Sequence, residues 1–133
     1  MAQQLCEHFS NIELACHCGC GTIPGPEFLE ILEALRVRFG HPMILTSAAR
    51  CPTHNAEVST TGRTGPHVID AIASSFGMGA IDVNIQGARA VELLELAMGM
   101  GSWTGFGINQ SGPHESRFIH LDNVHVGRMI WSY

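Results

Sequence analysis

Charge is scarce in this chain: of its 133 residues only 14% are Asp, Glu, Lys or Arg, against 45% hydrophobic. No run of like charge and no low-complexity tract is visible, which excludes the charge-rich composition of a disordered chain. The seven Lys and Arg are dispersed and the net charge is -5 with histidine neutral. That leaves no electrostatic footprint for nucleic acid or for an anionic membrane surface. No apolar run approaches the length that spans a bilayer, so membrane insertion is not expected. The opening residues Met1-Ala2-Gln3-Gln4-Leu5-Cys6-Glu7-His8 lack the basic start and apolar stretch of a secretory signal. The expectation is a protein made in a cytoplasm, remaining soluble there until something else releases it. Internal repeats are absent, as are the His-Glu-x-x-His helix of common zinc proteases and the paired-cysteine signature of nucleobase deaminases. The five cysteines are odd in number, and three crowd into Cys16-His17-Cys18-Gly19-Cys20. This is a poor disulfide framework.

Histidine, by contrast, is plentiful, with eight in the chain. Imidazole is both the commonest metal ligand and the side chain that titrates near neutral pH, so the enrichment favours a metal site without locating it. The length suits one domain, 1–133, around one core, and a monomer is expected. Phe28, Ile31, Leu32, Leu35 and Phe39 recur at helical spacing between Pro26 and Gly40, predicting a helix whose apolar stripe is core. A second helix is predicted over 88–98, ended by Gly99 and Gly101. Residues 9–16 suit one or two helical turns capped by Ser10 or Asn11. Residues 43–46 read as a short buried strand, 53–65 as an exposed loop, and 80–85 and 104–108 as strands. A loop over 110–116 carries His114, and 129–133 is a last apolar segment docked on the sheet. Helices before and between antiparallel-looking strands make an α+β domain, an antiparallel sheet with helices packed against it.

The most informative stretch is Arg117-Phe118-Ile119-His120-Leu121-Asp122. Apolar residues interleave with polar ones as in a strand, where residues two apart share a face. His120 and Asp122 therefore stand side by side, an imidazole and a carboxylate suited to a metal site. Asp82 lies among strand apolars, where a carboxylate is costly to bury unless paired or metal-bound. Arg50 sits where a strand opens into a loop held by Pro52, a place from which a guanidinium can meet a carboxylate. The thiols of Cys16, Cys18 and Cys20 and the imidazole of His17 could hold a second, structural metal, with Cys51 or Cys6 as a further ligand. Their one-residue spacings are tighter than the usual zinc knuckle, and reduced, partly buried thiols are the preferred reading.

Taken together, Ser47-Ala48-Ala49-Arg50-Cys51-Pro52-Thr53-His54-Asn55, Gly65-Pro66-His67, Ala80-Ile81-Asp82, Gly105-Phe106-Gly107, Phe118-Ile119-His120-Leu121-Asp122 and Trp131-Ser132-Tyr133 resemble the M15A group of zinc peptidases. These are D-alanyl-D-alanine carboxypeptidase-like enzymes, many carried by bacteriophages as cell-wall hydrolases. The resemblance implies the small α+β fold shared by hedgehog and D-Ala-D-Ala peptidases. It implies Zn2+ held by His67, Asp82 and His120, with Arg50 meeting a substrate carboxylate or developing oxyanion. Asp122 is then the expected general base, and His114 the expected oxyanion stabiliser or orienting residue. In that family the Asp follows the first His by about seven positions. Here the interval is fifteen, so some of 68–79 reads as an insertion that must loop out. Asp70 competes with Asp82 as second ligand, and His125, in Asp122-Asn123-Val124-His125, competes with His120 as third. The implied activity is zinc-dependent hydrolysis of peptidoglycan stem or cross-link peptides, as by a phage endolysin made in the host bacterial cytoplasm. The alternative is a non-catalytic wall-binding or virion module that keeps the fold.

Overall fold

Two helices form the apolar backing of the molecule, and the sequence accounts for both. In the computed structural model, which describes residues 2–133, α2 (Pro26–Phe39) begins with Pro26 in its first turn and stops at Gly40, whose φ of 73° is left-handed. Its buried residues Phe28, Leu32, Leu35 and Phe39 form the predicted stripe. Helix α5 (Gly87–Met100) buries Ala90, Leu93 and Ala97 and ends at Gly101, also left-handed. The small Ala90 and Ala97 let α5 approach α2 and the sheet closely. Trp103 is fully buried and meets the Phe28 ring edge-on, with centroids 5.7 Å apart. Ahead of them, Ser10 and Glu13 close a reciprocal capping box on the single turn α1 (Asn11–Leu14).

The helices cover one face of a five-stranded sheet made of β1 (Ile44–Ser47), β2 (Ala80–Asn84), β3 (Gly105–Asn109), β4 (Phe118–Asp122) and β5 (Met129–Ser132). The strand order is β1-β2-β4-β3-β5, antiparallel throughout except that β5 runs parallel to β3. Register sorts the side chains by chemistry. Ile81, Leu121 and Phe106 lie opposite one another, followed by Val83, Ile119 and Ile108, and this row faces the helices. The alternate row places Ala80 by Asp122 and Gly105, and Asp82 by His120 and Gly107. Since successive residues of a strand point to opposite faces, the polar row looks away from the core.

Two expectations are corrected, those for residues 53–65 and 43–46, and the inserted segment is seen to be partly helical. Residues 53–65 are not a continuous loop, because Pro52–Val58 forms a helix, α3. Its composition looks loop-like, but Pro52 sets the first turn and the Cys51 side chain accepts from the His54 N–H. The strand expected to be buried over 43–46 is instead β1 at the sheet edge, with Ile44 65% exposed, because only β2 pairs with it. Part of the 68–79 segment folds as α4 (Ala71–Ser75), capped by Asp70, whose carboxylate accepts from the Ala73 N–H at 2.8 Å. The segment is tied back by Asn123, which accepts from Gly79 N at 2.8 Å and donates to Gly77 O at 2.7 Å. The extra residues thus leave the run into β2 undisturbed. Among the described residues, no helix is long and apolar enough to cross a membrane.

Candidate metal centre

Asp82 on β2 and His120 on β4 are opposed in register, so their side chains meet on the polar face. His120 Nδ1 lies 2.9 Å from Asp82 Oδ1. The third member, His67, sits in a loop, and the backbone around it sets its position. Arg50 N donates to His67 O at 2.8 Å, and Ile69 N donates to Arg50 O at 3.0 Å, a short parallel bridge between the two segments. His67 Nδ1 lies 2.7 Å from Ala48 O, so this nitrogen carries the proton and Nε2 is left with its lone pair. His67 Nε2 is 3.4 Å from Asp82 Oδ1. His67, Asp82 and His120 each offer a donor atom, and these atoms lie within 4.8 Å of one another.

His120 is oriented from behind. Its Nε2 donates to Asp122 Oδ2 at 2.8 Å, turning Nδ1 toward Asp82. Each imidazole thus has one nitrogen tied by the fold and the other facing the shared carboxylate, the arrangement that fixes ring orientation in metal sites. The electrostatics agree. Burial alone would push the carboxyls of Asp82 and Asp122 up, yet both lie below the usual range because the imidazoles beside them outweigh it. For His120, burial opposes the charged form, but hydrogen bonds to Asp122 and Asp82 prevail and raise its pKa. A buried imidazole pressed between two carboxylates attracts positive charge, and a divalent cation satisfies the same donors. Two imidazoles and one carboxylate are a donor set that zinc accepts, so the residues fit it.

The group lies in a cleft of about 480 Å³, lined also by Arg50, Asn55, Phe118, His125, Trp131 and Tyr133. A larger apolar groove of about 580 Å³, between Leu5 and the Leu29 and Val37 face of α2, contains none of these groups. Arg50 enters the cleft with its Nη2 3.9 Å from Asp82 Oδ2 and its Nη1 donating to Asn55 Oδ1 at 3.0 Å. Asn55 is only 1% exposed, and its amide donates to Thr61 Oγ1, Gly62 O and Thr64 O. One side chain therefore closes the loop after α3 and aims the arginine. Sequence reasoning passed over it, because Asn within a Thr-, Ser- and Gly-rich stretch looks like turn chemistry.

Three other expected residues fall differently. Asp122, expected to act on water, is 0% exposed and both its oxygens are engaged: Oδ2 by His120, Oδ1 by Val124 N at 3.0 Å and His125 Nδ1 at 2.8 Å. It is a partner of two imidazoles and does not face the cleft. Its seat exists because Gly105 has no side chain; a Cβ there would lie 2.2 Å from Asp122 Oδ2. His114 begins an exposed 3-10 turn (His114–Ser116) and is not among the cleft residues. Asp70 is exposed at the cap of α4 and stands outside the donor group. His125 is also outside that group, but it lines the cleft and packs on Trp131, with ring centroids 5.4 Å apart.

With this geometry in hand, comparison with known proteins adds one finding. The sequence model of the family described as Peptidase M15 matches residues 7–122. No curated protein and no solved structure matches the chain significantly. The match spans most of the chain, from before α1 to the last residue of β4, and the protein belongs to the M15 peptidase family.

Proposed function

We propose that this M15 family member is a zinc-dependent peptidase acting on peptidoglycan stem or cross-link peptides, with His67, Asp82 and His120 as metal ligands. The observation that carries the reading is the convergence of His67 Nε2, Asp82 Oδ1 and His120 Nδ1, each ring being held at its other nitrogen by Ala48 O or Asp122. Zinc held there would supply Lewis acidity to the scissile carbonyl and to an attacking water. The remaining steps belong to the chain. His125 donates its Nδ1–H to Asp122, leaving Nε2 to take a proton from water and return it to the leaving amine. Asp122 stabilises the imidazolium that forms, and so acts through His125 and His120 without touching substrate. Arg50 presents its guanidinium to a substrate carboxylate, which favours cleavage next to a free C-terminus, as in a D-alanyl-D-alanine carboxypeptidase, over cleavage within a cross-bridge. Trp131 and Phe118 offer apolar walls for the peptide. Production in a host bacterial cytoplasm and later action on the wall, as by a phage endolysin, belong to the same reading.

The test is release of D-alanine or of cross-link fragments from purified peptidoglycan peptides, run beside elemental analysis of zinc. His67→Ala, Asp82→Ala and His120→Ala should each lower kcat/KM by about a thousandfold or more and lose zinc from this site. His125→Ala should keep the zinc and lose activity by a factor of about a hundred to ten thousand. Loss of the zinc with His125, and its retention without His120, would make His125 the third ligand. A wild-type protein with no zinc in this cleft and no hydrolysis would instead be the non-catalytic wall-binding or virion module.

A further inference from the structure

The cysteine-rich loop contributes nothing to the cleft, and its spacing argued against a metal. The tertiary structure changes that argument by bringing in a fourth sulfur from 31 residues beyond Cys20 in sequence. Cys16, Cys18, Cys20 and Cys51 each offer an Sγ, and all four lie within 4.8 Å of one another. The separations are 3.4 Å for Cys16 to Cys18, 3.9 Å for Cys16 to Cys51 and 3.7 Å for Cys18 to Cys51. A tetrahedron of sulfurs with metal–sulfur bonds of about 2.3 Å has edges of about 3.8 Å. The thiols are unbridged, and Cys6, the other candidate fourth ligand, lies outside the group.

The backbone around the sulfurs is also arranged for negative charge. Cys51 N donates to Cys16 Sγ and His54 N donates to Cys51 Sγ, each at 3.4 Å. Amide hydrogens aimed at sulfur stabilise thiolate, the form that ligates a metal. The loop turns tightly enough to present three sulfurs on one side because Gly19 and Gly21 take φ values of 85° and 88°, open to glycine at little cost. Cys16 N donates to Thr22 O at 2.9 Å across the base of the turn.

From this juxtaposition we propose a second, structural metal site in which Cys16, Cys18, Cys20 and Cys51 hold one Zn2+ in a closed set of four sulfurs. Four protein ligands leave no position for water, so the site is not catalytic. Its role is mechanical. It ties the loop after α1 to Cys51, the N-cap of α3, adjacent to Arg50 and four residues before Asn55. On binding, each thiol releases its proton to solvent and no redox change occurs.

The test uses the full chain purified under reducing, chelator-free conditions. Zinc is counted in wild type, in Cys18→Ser with Cys20→Ser, in His67→Ala with Asp82→Ala, and in all four changes together. The expected counts are two, one, one and none. Substituting cobalt provides an independent readout: the His67→Ala, Asp82→Ala protein should still show intense sulfur-to-cobalt charge transfer. That measurement leaves the cysteines intact, so it decides the matter even if the serine variant fails to fold. Unchanged zinc in a folded serine variant, absence of those bands, or a disulfide among the four cysteines in the reduced preparation would each overturn the proposal. A single zinc lost only with His67 and Asp82 would remove this site and leave the peptidase reading standing; a single zinc lost only with the cysteines would do the reverse.

Discussion

Two of the side-chain clusters that could hold a metal are built by opposite strategies. In the cleft, Asp82 and His120 come from central strands of the sheet and His67 from a loop pinned to Arg50, so the donors are far apart in sequence and held by hydrogen bonds at their backs. In the sulfur cluster, three of the four donors occupy five consecutive positions, and two of them, Cys18 and Cys20, are exposed. A sheet can hold ligands in place before metal arrives, whereas a short surface loop needs the metal to hold itself. The first arrangement suits chemistry, which requires an open position on a rigid frame. The second suits a staple.

The strongest way to break this contrast is to disturb the sheet while leaving the sulfurs alone. Gly105→Ala places a methyl carbon 2.2 to 2.5 Å from the Asp122 carboxyl atoms, which are sealed in the interior and cannot retreat. The expected cost is about 3 kcal/mol in urea unfolding, with a fall of about a hundredfold in kcat/KM. The sulfur-to-cobalt bands should not change. A variant as stable and active as wild type would show that Asp122 is not confined as described.

A smaller effect is expected where the two regions adjoin. Asn55→Ala removes the acceptor of Arg50 Nη1 and the donor to the carbonyls of Gly62 and Thr64. About 2 kcal/mol of stability should be lost. If Arg50 binds substrate, KM should rise by about tenfold with kcat changed much less; an effect on kcat alone would remove Arg50 from binding.

The smallest change lies away from both clusters and serves as their control. Glu33 accepts from the His8 backbone N–H at 2.8 Å and also pairs with the His8 ring. Burial favours the neutral acid, but these hydrogen bonds outweigh it and hold the Glu33 carboxyl below its usual range. A carboxyl whose folded pKa is depressed stabilises the fold above its unfolded pKa and loses that contribution as pH falls through the folded one. Glu33→Gln should therefore cost about 1 kcal/mol near neutral pH, and the difference from wild type should shrink in acid. Equal differences at neutral and acid pH would contradict the assignment, and neither metal content nor kcat/KM should respond.

Local pattern determined a large part of this protein. Helical spacing in Phe28, Leu32, Leu35 and Phe39 marked α2, and alternation in Phe118-Ile119-His120-Leu121-Asp122 both marked β4 and put His120 and Asp122 on one face. These properties depend on periods of 3.6 and 2 residues, which a chain carries without its partners. Tertiary structure decided what alternation cannot express. That Asp122 is sealed follows from β3 pairing beside it with a glycine at the facing position, and that β1 is an edge follows from strand order. The hidden work of Asn55 and the meeting of Cys51 with the Cys16 loop depend on contacts between distant segments. A sequence names the donors and their faces; only packing sets which donor atoms converge, which are walled off, and which nitrogen of each imidazole remains free.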